Sequence, residues 1–332
     1  MKEAISPASV SRRGILRATG GLAAALAAAA TGIACGQSQE QVGTPARPLA
    51  MAFVPSGDTT RILASGKPLA DLLEKETGYK IEASVPTSYA AVIEAMGAGK
   101  VDVGWLAPFS YALAHKKFGA EVILATVRAG SKTYPWQLIV HADSGIKTFD
   151  QLKGKKFAFG DPLSTSSYLY PAAYIKEKFN TDPEKYFSQT LFAGGHDKVV
   201  VAVYNKQVDG GATFGPNVGA PESDARQRVL TTLPDVMQKV VRILETDQIP
   251  NDTVSVRKGL AKDVVDKVKN ALLKISKTDQ GLKLLKDLYS IDGLGAAASS
   301  DYDPLIKKAD LLKIDLEVAA GIKPAPTATK GP

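Results

Sequence analysis

Short runs of apolar, β-favouring residues alternate with longer stretches whose apolar positions recur at helical spacing, from Leu49 almost to Leu312. That alternation predicts an α/β protein with parallel sheets and helices on their faces. The first run, Leu49 to Val54, stops at Pro55-Ser56-Gly57-Asp58, and an amphipathic helix follows over Thr59 to Glu76 with Leu63, Leu69, Leu72 and Leu73 as its apolar set. Strands are expected at Tyr79 to Val85, Val101 to Trp105, Glu121 to Arg128 and Gln137 to His141, with a helix starting near Ser88.

A second series has strands at Lys156 to Phe159, Tyr186 to Phe192 and Asp209 to Phe214, and helices beginning near Thr165 and His196. Val240 to Leu244, the turn Ile249-Pro250-Asn251-Asp252 and Thr253 to Val256 come next. Helical patterns then cover Ala261 to Ser276, Gln280 to Tyr289 and Pro304 to Leu312. The simplest path is two α/β lobes joined by two crossing segments, with residues 49–141 and 245–322 in one lobe and 142–244 in the other. A cleft between hinged lobes suits closure on a ligand. An internal echo agrees: at a shift of 107 residues, Tyr89 falls on His196 and Val101-Asp102-Val103-Gly104 falls on Val208-Asp209-Gly210-Gly211. Ligands of such sheets bind at the carboxyl ends of the strands, which places Tyr89 and His196 face to face and Asp102 and Asp209 on the far edge.

The ends of the chain read differently from this core. Residues 1–34 have the make-up of an export signal: charges first (Lys2, Arg12, Arg13, Arg17), then an apolar run too short and alanine-rich for a comfortable membrane span. Ser11-Arg12-Arg13-Gly14-Ile15-Leu16-Arg17 resembles the twin-arginine export motif. Small residues before Cys35, the only cysteine of the 332 residues, look like a lipobox, which would make Cys35 a lipidated mature N-terminus at the outer face of the membrane. Residues 35–48 read as a polar tether and residues 323–332 as a disordered tail. Losing the first 34 residues removes four basic and one acidic side chain, so the formal net charge falls from +7 to +4. With no basic block, nucleic acid is a poor partner. Disulfides are excluded by the cysteine count.

The most informative stretch for chemistry is Gly160 to Phe179, where a strand ending in Gly-Asp-Pro enters a helix opening with Ser164, Thr165, Ser166 and Ser167. Free N–H groups, hydroxyl donors and the positive dipole end converge there, a combination that suits an oxyanion. It contains no lysine and no nucleotide-loop pattern, so a small tetrahedral anion fits better than a triphosphate. His196 and Tyr89 add N–H and O–H donors, and Tyr134 and Asp252 lie at the two crossings. Each also has a plain structural role open to it, as a cap, a core residue or a turn former. Nucleophile-and-base chemistry lacks its motifs, and three histidines with one cysteine leave little for a metal centre, so no cofactor is expected.

In order, SYAAVIEAM, KVDVGWLAPFSYALA, YPWQLIV, GDPLSTSS, GGHDKVV, QVDGGA and IPND closely resemble the phosphate/phosphite/phosphonate-binding proteins of bacterial ABC importers, over about Leu49 to Tyr289. The resemblance implies a type II periplasmic-binding-protein fold, no enzymatic activity, and permease and ATPase subunits as partners of a monomer. By matching motifs it implies Ser164, Thr165 and Ser166 as the phosphoryl cradle and His196, Tyr89, Tyr134 and Asp252 as further ligand contacts. Members that take aminoalkylphosphonates carry an acidic residue shortly after the V-D strand. This chain has Pro216 there and no carboxylate before Glu222, so phosphite, methylphosphonate or phosphate is the expected ligand. A surface enzyme acting on phosphoesters, or a receptor for sulfonates or thiamine precursors, is the alternative.

Overall fold

The computed structural model describes residues 41–314 and 317. The export signal, Cys35, most of the tether and the tail 323–332 lie outside the described residues. Leu49–Phe53 (β1), Thr59–Thr77 (α1), Ile81–Ser84 (β2), Tyr89–Gly97 (α2), Val103–Leu106 (β3), Pro108–Phe118 (α3) and Glu121–Val127 (β4) build the first lobe. Thr133–His141 (β5), Lys156–Phe159 (β6), Tyr170–Phe179 (α4), Pro183–Tyr186 (α5), Gln189–Phe192 (β7), His196–Tyr204 (α6), Gly210–Phe214 (β8), Val236–Lys239 (α7) and Val240–Pro250 (β9) build the second. Thr253–Val256 (β10), Lys262–Ile275 (α8), Asp279–Tyr289 (α9) and Gly293–Gly295 (β11) return to the first, and Asp303–Leu312 (α10) packs on α3 and α4, touching both lobes.

The sheets run β11-β4-β10-β3-β1-β2 and β7-β6-β8-β5-β9. Their parallel parts are equivalent, β2-β1-β3 in one and β7-β6-β8 in the other. The repeated aspartates explain why. Asp102 accepts the Ala50 N–H at 2.9 Å while its own N–H goes to the Ala50 carbonyl, and Asp209 makes the same exchange with Lys156. Each therefore clamps the strand that follows it to the parallel neighbour. Asp102 is fully buried and is also gripped by Arg47 at 2.9 Å and Arg257 at 2.7 Å.

Three expectations need correction. β5 belongs to the second sheet, because it pairs with β8 from Trp136 to Val140 and with β9 along Thr133 to His141. The chain therefore crosses at the tight turn Arg128 to Ser131, where Ala129 and Gly130 both have positive φ, and crosses back between Pro250 and Thr253 instead of at 245. An antiparallel partner distant in sequence decides this, and no local pattern encodes it. The strand expected over Tyr186 to Phe192 begins only at Gln189, since Pro183 starts a short helix that ends at Tyr186. On α1 the buried seam is Ile62, Ser65, Gly66, Leu69, Ala70 and Leu73, with Leu63 and Leu72 only half-buried. Gly66 lets the helix sit on Phe53, whose ring a Cβ would meet at 2.8 Å.

Two asparagines hold the crossings together. Buried Asn251 donates to the carbonyls of Thr126 and Ser131 at 2.9 and 2.8 Å, and Asn217 donates to those of Arg128 and Thr133 at 2.7 and 3.2 Å. Asp102→Asn should lower stability by about 1.5–3 kcal/mol, the worth of a hydrogen bond to a charged group. A urea melt should give a lower midpoint with the same slope.

Candidate functional site

The carboxyl ends of β1, β3, β6 and β8 point into the cleft between the lobes. The lobes meet there. The Ser56 carbonyl of the first lobe accepts the His196 N–H at 3.1 Å and the Arg228 Nη1 at 3.0 Å from the second. Backbones approach closely at this seam: a Cβ on Gly195 would stand 3.3 Å from the Gly57 Cα and 2.8 Å from an Asp197 carboxylate oxygen. Behind the seam lies a small chamber with about 20 Å³ of open space.

Ser164, Ser166, Tyr89, Tyr134, His196 and Asp252 all line this chamber, and Thr165 does not. The cause is local geometry. Residues Thr165–Leu169 form a wide turn, with the Leu169 N–H bonded to the Ser164 carbonyl at 3.0 Å, before α4 takes up ordinary helical winding. Ser164 caps the turn by accepting the Ser167 N–H at 3.2 Å. Thr165 turns to the other lobe and accepts the Phe109 N–H at 2.9 Å, tying α3 to the second lobe beside the Ser110 hydroxyl, which donates to the Leu163 carbonyl. Of the three hydroxyls expected in the cradle, those of Ser164 and Ser166 belong to residues lining the chamber, while that of Thr165 makes a contact between lobes. Ser167 is structural as well, accepting from the Gly160 N–H and donating to the Ala212 carbonyl at 2.6 Å each.

Burial sets the protonation of the wall. It pushes His196 well below the ordinary histidine value of 6.5, helped by the positive charges of Arg228 and Arg128, so the imidazole is neutral at physiological pH. Its Nδ1 bonds the Thr213 hydroxyl at 2.7 Å and its ring stands edge-on to Phe214, leaving Nε2 as the remaining nitrogen. Burial likewise raises Tyr134, reinforced by the Asp252 carboxylate and opposed by Arg128 and a hydrogen bond with Ser166. Tyr89 is raised by burial and by Asp161, so both phenols remain O–H donors.

Two arginines in the wall escaped the sequence reading. Arg128, at the end of β4, donates to Asp252 at 2.5 Å and lies 5.8 Å from the Phe214 ring centre. Arg228 lies 4.6 Å from the same centre, and burial together with Arg61 and Arg128 pushes its guanidinium down to about 10. Phe214 and Tyr289 complete the lining, Tyr289 donating its hydroxyl to the Val54 carbonyl at 2.7 Å. The Arg128–Asp252 pair unites the two crossings, and its signal in the sequence is only that both residues flank turns.

A family model described as "ABC transporter, phosphonate, periplasmic substrate-binding protein" matches residues 51–302. The chain is 31% identical over 261 residues to the phosphate-import protein PhnD of Mycolicibacterium smegmatis, covering 74% of this chain and 77% of that one. It is also 31% identical over 226 residues to the phosphonates-binding periplasmic protein of Escherichia coli, covering 67% and 64%. A crystal structure of the binding-protein component of a phosphonate ABC transporter from Pseudomonas aeruginosa is similar with a TM-score of 0.71 and 25% identity, over 85% of this chain and 90% of that one. PhnD1 of Prochlorococcus marinus, solved with methylphosphonate, shares the fold at a TM-score of 0.69 and 18% identity, over 80% and 98%. The two-lobed α/β architecture of the type II periplasmic binding proteins, the matched span and the two relatives agree, and the chain belongs to the periplasmic phosphonate-binding proteins of ABC transporters.

Proposed function

We propose that this chain is the solute-binding lipoprotein of an ABC importer, anchored through Cys35 outside the cytoplasmic membrane, and that it captures a small phosphorus oxyanion without an amine and passes it on unchanged. Phosphite, methylphosphonate and phosphate are the candidates. The observation that carries this reading is the convergence of Ser164, Ser166, Tyr89, Tyr134 and His196 with Arg128 and Arg228 on one small chamber. Hydrogen bonds in such an enclosed place gain strength from the low dielectric and from their number.

Exclusion of an amine follows from where the carboxylates are. An ammonium shut in the cleft would need one. Asp252 is engaged by Arg128, Asp224 by Arg226, and after β8 the chain offers Pro216 and Asn217, whose amide holds the crossing. The relatives fit a phosphorus oxyanion, one being named for phosphate import and the other for phosphonates. Binding without turnover is favoured because the bonded partner of His196 is Thr213, not a serine of the 164–167 turn that it could activate as a nucleophile.

Ser164→Ala and Ser166→Ala should each weaken methylphosphonate or phosphite binding by about 1.5–3 kcal/mol in calorimetry, the range for a hydrogen bond to a charged group. Undiminished affinity in both would place the cradle elsewhere. His196 supplies a pH test. Its folded value lies below the 6.5 of an unfolded histidine, so stability is complete above about pH 6.5 and declines as the pH falls toward the depressed value. Thermal melts between about pH 7.5 and pH 5 should show a loss that His196→Asn lacks in part; identical pH profiles would refute the neutral imidazole. Cys35→Ala should move the protein from the membrane fraction to the soluble fraction, and retention on the membrane would remove the lipid anchor from the proposal.

A further inference from the structure

The chamber holds two guanidinium groups and one engaged carboxylate, and the pairing is unequal. Arg128 has Asp252. Arg228 hydrogen-bonds, among the described residues, to the neutral oxygens of Ser56 at 3.0 and 3.4 Å and lies over the face of Phe214, while the Asp197 carboxylate acts on it only at longer range. The contrast with its neighbour is sharp: Arg226, two residues earlier, is buried, bidentate on Asp224 and bonded to the Val240 carbonyl. Arg226 fixes the Ala225–Val229 turn, and the turn presents Arg228 to the cleft.

Arg228 also stands at a boundary. It lines both the inner chamber and an outer pocket of about 340 Å³, walled by Asp58, Arg61, Asp197, Lys198 and Thr232 among others. Arg61 and Asp197 approach the same point: a Cβ on Gly57 would lie 3.4 Å from Arg228 Nη1, 3.5 Å from Arg61 Nη2 and 3.6 Å from the Asp197 carboxyl carbon. The inner chamber is far smaller than the outer pocket, and Arg228 is the residue their linings share. A longer substituent that extends past Arg228 enters a pocket where Arg61 and Lys198 outnumber, with it, the two aspartates.

We propose that Arg228 is the specificity-determining residue of the chamber, supplying a positive charge not held in a close ion pair, which favours fully anionic phosphorus oxyanions and rejects those whose substituent carries an ammonium. This rests on the oxyanion-binding reading above. A guanidinium without a bonded carboxylate in a partly desolvated cleft is completed by the ligand's own charge. An aminoalkyl chain must instead pass that guanidinium with like charge facing it, and in the outer pocket the two aspartates are outnumbered by Arg61, Lys198 and Arg228.

The test is calorimetry on the full chain with phosphite, phosphate, methylphosphonate and 2-aminoethylphosphonate, for wild type, Arg228→Gln, Arg228→Lys and Arg228→Glu. Wild type should prefer methylphosphonate to 2-aminoethylphosphonate by roughly tenfold or more. Arg228→Gln should weaken methylphosphonate roughly 10- to 100-fold and 2-aminoethylphosphonate less, narrowing the ratio. Arg228→Lys should restore the preference, and Arg228→Glu should reverse it. A purely structural role would lower all affinities together, so an unchanged ratio in Arg228→Gln overturns the proposal while leaving oxyanion binding intact. Wild type binding none of the four ligands would remove the function reading itself and this inference with it. Melting of each unliganded variant checks the fold, with Arg228→Met as the replacement if Arg228→Gln does not fold.

Discussion

Everything in the cleft answers to the difficulty of keeping charge in a small space from which most water is excluded. The Arg128–Asp252 pair meets that difficulty internally, and because Arg128 begins the outgoing crossing while Asp252 lies in the returning one, the same pair binds the two crossings to each other. It also shapes the wall. With Asp252 turned to Arg128, the remaining polar side chains lining the chamber are hydroxyls, a neutral imidazole, the indole of Trp105 and a second guanidinium.

Around that pair the molecule divides its labour between rigid ends and a shared middle. Asp102 and Asp209 lock the parallel strands of each lobe on the edge away from the cleft, so the carboxyl edges are left to loops that bind. Asn251 and Asn217 then hold the crossing backbones in register with side-chain amides. The lobes touch through an apolar cluster that spans both and through polar groups beside the cleft. Ser56 receives two donors, Thr165 receives one, and Ser110 gives one.

Much of this was legible in the chain itself, and the reasons differ by element. Lys156–Phe159 and Thr253–Val256 could be read to the residue because each is a short apolar run bounded by turn formers. The echo between Tyr89 and His196 was legible because two lobes solve one problem, a helix entering at the cleft and an aspartate clamping the next strand. The division among Ser164, Thr165, Ser166 and Ser167 was not, since a wide turn aims neighbouring hydroxyls in directions that a regular helix would not. Arg228 was illegible for another reason. It lies in a stretch without periodicity, where an arginine ordinarily faces water, and only the packing of Arg226 on Asp224 turns the next guanidinium toward Phe214.

The bond between Thr213 and the imidazole reaches further than holding a ring in place. A threonine hydroxyl both gives and takes, so the tautomer of His196 can follow its rotation. When Thr213 donates its O–H to Nδ1, Nε2 carries the hydrogen and is a donor; when Thr213 accepts from Nδ1, Nε2 is bare and is an acceptor. One rotating O–H thus lets an uncharged side chain in the chamber wall change from donor to acceptor without any change of net charge.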